Sequence, residues 1–290
     1  WAGMLRRFRY TDENPNWEAV PLPMDNQNEL NCGEINDNYI YNPVDPPIGN
    51  NNHKAFSLLI VEDYIWVGTA NGINRGEILS NGCIDWIHYD EQNTNFGLDG
   101  DWVIGIHPQY FNNFTRIWAI SWDATSSNPH KLSYTDNNGN NWQNNNYLQT
   151  QGAVTYNLYS INNSEILSEN KLYAATSKGL YETNIVDENP NNITWSKFEI
   201  PQWIFDQIGI FNEEDSNFKV YSSIIMELDF ENHFLWIGTT DGLIGTNMIT
   251  DEFIYIIDDV IDDEIYGCTD TQACNYIPDA TADNGSCEYP

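Results

Sequence analysis

One short pattern recurs through the first 260 residues, and it narrows the fold more than any other feature. Its first full copy reads Tyr64-Ile65-Trp66-Val67-Gly68-Thr69-Ala70-Asn71-Gly72-Ile73, and its last Leu235-Trp236-Ile237-Gly238-Thr239-Thr240-Asp241-Gly242-Leu243-Ile244. Between them lie Leu172-Tyr173-Ala174-Ala175-Thr176-Ser177-Lys178-Gly179-Leu180-Tyr181 and a degenerate copy, Arg116-Ile117-Trp118-Ala119-Ile120-Ser121. The aromatic positions Trp66, Trp118, Tyr173 and Trp236 are 52, 55 and 63 residues apart. Internal repetition at such a period marks a solenoid, a propeller or an array.

Each copy reads as a hairpin. Alternating apolar residues give a half-buried strand, Asn-Gly or Asp-Gly permits a positive-φ turn, and a second β-rich run returns. Gly68 and Gly238 fall where strands approach closely and a Cβ would not fit. A further strand is expected before each copy, at 56–61, 102–107, 154–159 and 220–228. Another is expected after it, at 83–89, 142–148, 194–200 and 252–257. Four strands per period of about 50 residues, with no helical periodicity, predict an all-β chain of propeller blades. Trp1-Ala2-Gly3 opens a half copy over residues 1–22, so about five blades are visible. The Asn-, Asp- and Pro-rich segment 24–52 reads as an inserted loop.

Here the chain resembles known propellers. The Trp-Val-Gly-Thr-x-x-Gly-Ile and Trp-Ile-Gly-Thr-x-x-Gly-Leu copies are similar to repeats of two-component-regulator-type and sialidase-like (BNR) propellers. Thr135-Asp136-Asn137-Asn138-Gly139-Asn140-Asn141-Trp142 resembles an Asp-box, with Asn137 at the Asp position. The resemblance implies a folding role for Asn137 and Gly139 between a blade's third and fourth strands, with Trp142 buried. It also implies a ring of six to eight blades, the missing ones lying upstream of Trp1.

From Gly267 the chain resembles a Cys-rich repeat of pattern GCTDxxACNYxPxATxDDGSCxYP, found in secreted multidomain proteins of marine, Bacteroidetes-like bacteria. The expected organisation is a propeller over 1–260, an acidic linker over 261–266 and a Cys-rich module over 267–290. So short a module has no apolar core and needs disulfides or a metal. Asp270, Asn275, Asp279, Asp283 and Asn284 offer the hard oxygen ligands that calcium takes; equally, they suit Asx turns that bond their own backbone. The cysteines are Cys32, Cys83, Cys268, Cys274 and Cys287, three of them in the last 23 residues, a density typical of an oxidising compartment. Cys32 and Cys83 are candidates to tie the inserted loop to a neighbouring blade, although sequence leaves every pairing open.

Charge and motifs bound the function. With 11 Lys+Arg against 43 Asp+Glu, the net charge is −32. Nucleic acid is thereby excluded as a partner, since its binding relies on basic residues neutralising phosphates. No apolar run is long enough to insert in a membrane. There is no nucleophile elbow, zinc-binding HExxH or phosphate loop. A sialidase's three carboxylate-clamping arginines are missing too, since only Arg75 and Arg116 lie beyond the N-terminal cluster of Arg6, Arg7 and Arg9. His53, His88, His107, His130 and His233 lack ligand spacing. Trp86, Trp102, Trp122 and Trp203 fall off the repeated position and are the candidates for exposure at a propeller face.

The expectation is therefore a non-catalytic, secreted or cell-surface propeller, binding a protein or glycan, with calcium as its candidate cofactor. The alternatives are a polysaccharide hydrolase whose catalytic residues lie outside this chain, and a self-assembling subunit of an extracellular filament.

Overall fold

The Thr-x-x-Gly element of the repeat explains its own geometry. In three copies the Thr hydroxyl donates to the carbonyl of the Gly three residues on: Thr69 to Gly72 (3.1 Å), Thr176 to Gly179 (2.7 Å) and Thr239 to Gly242 (2.8 Å). The same oxygen accepts the amide two residues on, from Asn71, Lys178 and Asp241. Each Gly sits at positive φ, at 91°, 103° and 144°. The side chain thus closes a turn that only glycine enters without strain.

The protein is seen in a computed structural model. It describes residues 3–10, 15–35, 50–111, 113–123, 130–160, 171–183, 193–207, 218–229, 232–257, 266–267, 269–275, 282–283 and 286–289. An antiparallel pair comes first, β1 (Arg6–Phe8) with β2 (Trp17–Ala19). The first sheet contains β3 (Glu29–Leu30), β4 (Ala55–Val61), β5 (Tyr64–Thr69), β6 (Gly72–Ile78) and β7 (Ile84–Tyr89), in the order β3-β7-β6-β5-β4. The second runs β8 (Trp102–Tyr110), β9 (Thr115–Trp122), β10 (His130–Thr135) and β11 (Gln143–Asn144). The third holds β12 (Thr155–Ser160), β13 (Leu172–Thr176), β14 (Gly179–Thr183) and β15 (Trp195–Lys197). The fourth holds β16 (Val220–Asp229), β17 (Asn232–Thr239), β18 (Gly242–Asn247) and β19 (Phe253–Ile257). Near the C-terminus β20 (Tyr266–Gly267) and β21 (Ala282–Asp283) pair in parallel.

The chain is all-β in architecture, built of open antiparallel meanders, none of which closes on itself. One strand of each lies beside that of the next in sequence order: β4 packs on β8, β8 on β12 and β12 on β16. Period-two alternation then sends successive residues of each second strand to opposite neighbours. Ile65 and Val67 pack with Val20, Leu22, Leu30 and Trp86, towards the N-terminal pair. Trp66 faces the other way, against Val103, Ile106, Ile117 and Ala119 of the second sheet. Trp118 likewise meets Leu158, Leu172 and Ala174 of the third, and Tyr173 meets Leu235, Ile237 and Ile244 of the fourth. These three aromatics are fully buried. At about 150–250 Å² each, burial contributes roughly 4–6 kcal/mol per ring before entropy. At Gly68 an added Cβ would run into the Ser57 hydroxyl and the Val103 carbonyl oxygen, so the close approach of β5 to β8 requires glycine.

Three sequence expectations are corrected. The strand expected at 142–148 shrinks to Gln143–Asn144; α1 (Tyr147–Thr150) follows and buries Leu148 between the second and third sheets. A second helix, α2 (Gln202–Gln207), departs from the all-strand expectation because it plugs Ile204 and Phe205 into the cluster between the third and fourth sheets. Part of the supposed loop 24–52 is a strand: β3 pairs with β7, opposing Leu30 to Trp86, and Leu30 is buried. Residues 36–49 lie outside the described residues.

The Cys32–Cys83 disulfide joins the turn after β3 to the residue before β7, 51 positions apart. Cys287 is also disulfide-bonded, Cys274 is an exposed free thiol, and Cys268 lies outside the described residues.

Candidate functional site: an aromatic row raised by strand bulges

The strands β4, β8, β12 and β16, which lie side by side from sheet to sheet, slip register at the same place. The shifts fall between Ala55 and Ser57, Val103 and Gly105, Thr155 and Asn157, and Val220 and Ser222. The extra residues are Phe56, Ile104, Tyr156 and Tyr221. A bulge bends its strand and re-aims a side chain, and in three of the four strands that side chain is aromatic. In the second sheet Ile104 packs inward instead, and the cross-strand neighbours Trp102 and Trp122 take the place beside it.

These rings form one continuous row across four sheets. Phe56 and Trp102 have centroids 5.9 Å apart, Trp102 and Trp122 5.3 Å, and Trp122 and His130 6.2 Å. His130 and Tyr156 follow at 6.1 Å, then Tyr156 and Tyr221 at 5.0 Å. Trp102 is 37%, Trp122 38% and Tyr221 46% exposed, so the row opens to solvent while Phe56, His130 and Tyr156 support it half-buried. A contiguous exposed aromatic surface of this kind marks a binding region.

Carboxylates adjoin the two tryptophans in sequence: Asp101 precedes Trp102 and Asp123 follows Trp122. Burial, then repulsion from Asp90 and Asp123, pushes the Asp101 carboxyl above its ordinary value. Burial and the charges of Asp101, Asp99 and Asp123 push Glu91 the same way. Lys131 is the cation here, held by Asp99 at 3.0 and 3.1 Å. Burial holds the His130 imidazole below the usual histidine range, so the ring in the row is neutral at pH 7, although the Thr155 carbonyl 3.0 Å from Nδ1 works the other way. The row offers apolar ring faces, and the group of carboxylates at Glu91, Asp99, Asp101 and Asp123 contributes a field that repels anions.

The repeat residues serve the fold. In the box, Asn137 Oδ1 accepts the Asn141 amide at 2.8 Å and the Thr135 hydroxyl at 3.0 Å, and Thr135 Oγ1 accepts the Gly139 amide at 3.0 Å. Asn thus supplies the acceptor that Asp would. Gly139 lies at φ 87° against the Tyr89 ring, and Trp142 is buried among Trp66 and Tyr89. Gly238 pairs with Ser222 and Leu243 within the fourth sheet, and Trp236 is half-buried there. Arg116 is fully buried and bound to Asp136 at 2.6 and 3.1 Å, while Arg75 donates to the Asn138 carbonyl. Both arginines are structural.

In the tail, Asp270 accepts the Gln272 amide (2.9 Å) and the Tyr289 hydroxyl (2.6 Å); that hydroxyl bond chiefly holds its carboxyl below the ordinary value. Asn275 donates to the Ser286 carbonyl and accepts the Glu288 amide. Asp283 is seen only as a strand residue paired with Gly267, and Asp279 and Asn284 lie outside the described residues. Among the described residues no cluster of three His, Cys, Asp or Glu is arranged to hold a metal.

Of the four off-repeat tryptophans, the structure brings Trp102 and Trp122 together, buries Trp86 and leaves Trp203 exposed on α2. Sequence reading missed Phe56, His130, Tyr156 and Tyr221. A signal was present: an aromatic flanked by a small or β-branched residue and by Ser or Asn recurs in Ala55-Phe56-Ser57, Thr155-Tyr156-Asn157 and Val220-Tyr221-Ser222.

No family model matches the chain, and no curated protein matches it. Among solved structures it is similar to the extracellular domain of BT4673 from B. thetaiotaomicron, described in one crystal structure as a proposed one component system and in another as a proposed hybrid two component system. Identity is 15% in both, with TM-scores of 0.44 and 0.45 over 72% of this chain. The chain spans 23% and 24% of those chains' lengths.

Proposed function

We propose that this is a non-catalytic extracellular binding domain whose four sheets are neighbouring blades of a β-propeller, part of a six- to eight-bladed ring. Its ligand is a neutral glycan laid along the aromatic row. The observation that carries the reading is the repeated bulge, which raises aromatics to one surface in a continuous line. Pyranose rings present apolar C–H faces to such a platform. The −32 charge disfavours uronates and sulfated sugars. Side-by-side packing of β4, β8, β12 and β16 supports the propeller. The Cys32–Cys83 disulfide supports an oxidising compartment.

A panel of neutral and acidic oligosaccharides, read by calorimetry and by reducing-end release, tests this. The expected result is saturable binding of a neutral oligosaccharide without cleavage. Binding confined to acidic sugars, or release of reducing ends, would sink it. Residues 267–290 serve as a spacer module in this reading, following a linker at 261–266. A calcium site there would draw on Asp279, Asp283 and Asn284, because the side chain of Asp270 is hydrogen-bonded to Gln272 and Tyr289 and that of Asn275 to Ser286 and Glu288; titration of the whole protein with calcium tests it.

A further inference from the structure

One packing device recurs between neighbouring sheets. A tryptophan at the start of a sheet's last strand lies edge-on against the repeated aromatic of the sheet before it: Trp142 against Trp66 at 6.2 Å, and Trp195 against Trp118 at 6.4 Å. The contact between the third and fourth sheets has a smaller ring at both positions, Tyr173 and Phe253. Phe198 links these two, 6.1 Å from Tyr173 and 6.3 Å from Phe253. A cavity of about 560 Å³ lies there, walled by residues of the third sheet on one side and of β18, β19 and their turn on the other. Ligand sites are typically of this size, roughly 300–1,000 Å³.

The cavity carries polar groups in need of partners. Tyr173 is fully buried, and its hydroxyl has no hydrogen-bond partner among the described residues. Trp118, its counterpart in the second sheet, instead donates its indole N–H to Gln109 at 2.9 Å. A buried hydroxyl left unpaired is costly, which marks a place prepared for a partner. Burial, then the charge of nearby Glu182, pushes the Tyr173 phenol above its ordinary value, so it is a neutral donor at pH 7. Glu182 binds Lys171 through Oε2 at 3.1 Å, which leaves Oε1 and two ammonium hydrogens for a ligand. Phe198, Met248 and Phe253 supply an apolar wall, and Lys197 and Asp251 also line the cavity.

We infer that this cavity binds a small zwitterion with an aromatic body, the chemistry shared by a free aromatic amino acid and a dipeptide. The ligand's ammonium group meets Glu182 Oε1, its carboxylate meets Lys171 and the Tyr173 hydroxyl, and its ring packs on Phe198 and Phe253. Both charges are required. The −32 field repels a plain anion, and Lys171 and Lys197 oppose a plain cation. The site shares no residue with the aromatic row, so the inference is independent of the glycan reading.

Calorimetry on the whole chain with L-phenylalanine and with glycyl-phenylalanine tests it, beside controls that lack one or both charges: phenethylamine, hydrocinnamate and N-acetylphenylalanine amide. Saturable binding of at least one zwitterion is expected, at least tenfold tighter than that of every control, and the order of the two zwitterions tells amino acid from peptide. Tyr173→Phe removes only the hydroxyl and is expected to weaken binding at least fivefold. Phe253→Trp restores the indole of the other two contacts and is expected to abolish it. Cooperative thermal unfolding near the wild-type temperature shows that each variant is folded. No saturable binding of either zwitterion at millimolar concentration, equal binding of any control, or unchanged binding in either folded variant would overturn the inference.

Discussion

Trp102 and Trp122 oppose each other across β8 and β9, edge to face at 5.3 Å, and both are more than a third exposed. Two large rings held by a sheet yet open to water lose little order on binding, which makes them natural anchors. Trp102→Ala and Trp122→Ala are each expected to weaken oligosaccharide binding at least tenfold. Stability should shift by less than about 1 kcal/mol, since neither ring is in the core. Calorimetry beside thermal unfolding separates the two effects; equal loss of both would mark the pair as structural.

The Cys32–Cys83 bridge closes a loop of 51 residues against the outer edge of the first sheet. Cys83→Ala is expected to cost about 2–4 kcal/mol through the freed unfolded chain. For a domain of this size that is roughly 5–15 °C of melting temperature. Differential scanning calorimetry with and without reductant measures it, and reductant should no longer shift the variant's transition by this amount.

Gly68→Ala forces a methyl against the Val103 carbonyl at the contact between the first and second sheets. Overpacking there is expected to cost about 1–3 kcal/mol. Gly33→Ala meets open space and should stay within about 0.5 kcal/mol of wild type. Urea midpoints of the two variants are the comparison.

Two sets of groups give stability opposite pH slopes. Burial lowers His107 to about 4 and lowers His53 and His130 as well. Their folded values lie below the unfolded one, so stability present above pH 6.5 is lost as pH falls towards 4. Glu91 and Asp101 are raised, so the folded state holds their protons more tightly, and the stability this gives in acid is lost as pH rises just above the ordinary carboxylate range. His107→Gln should flatten the fall between pH 6.5 and 4.5, and Asp101→Asn should be more stable than wild type at pH 7. Denaturant midpoints across this range check both; curves parallel to wild type would contradict the assignment.

Much of the fold was legible in local pattern. Period-two alternation around Trp66, Trp118, Tyr173 and Trp236, ended in three of the four copies by Thr-x-x-Gly, predicts the hairpins because turn chemistry and strand alternation act within a few residues. The strand expected at 142–148 failed because burial of Leu148 between two sheets outweighs what its neighbours prefer. Strand β3 was missed because its pairing depends on Trp86, 56 positions away.

Sequence by itself determined the repeating unit, its turns and the aromatic that faces the next sheet, all set by contacts close along the chain. Only the tertiary structure decided that Phe56, Trp102, Trp122, His130, Tyr156 and Tyr221 share one line, and that Leu148, Ile204 and Phe205 fill the seams between sheets. Those are matters of register and of which sheet lies beside which. A one-residue bulge turns a ring from core to solvent, and no local preference records that outcome.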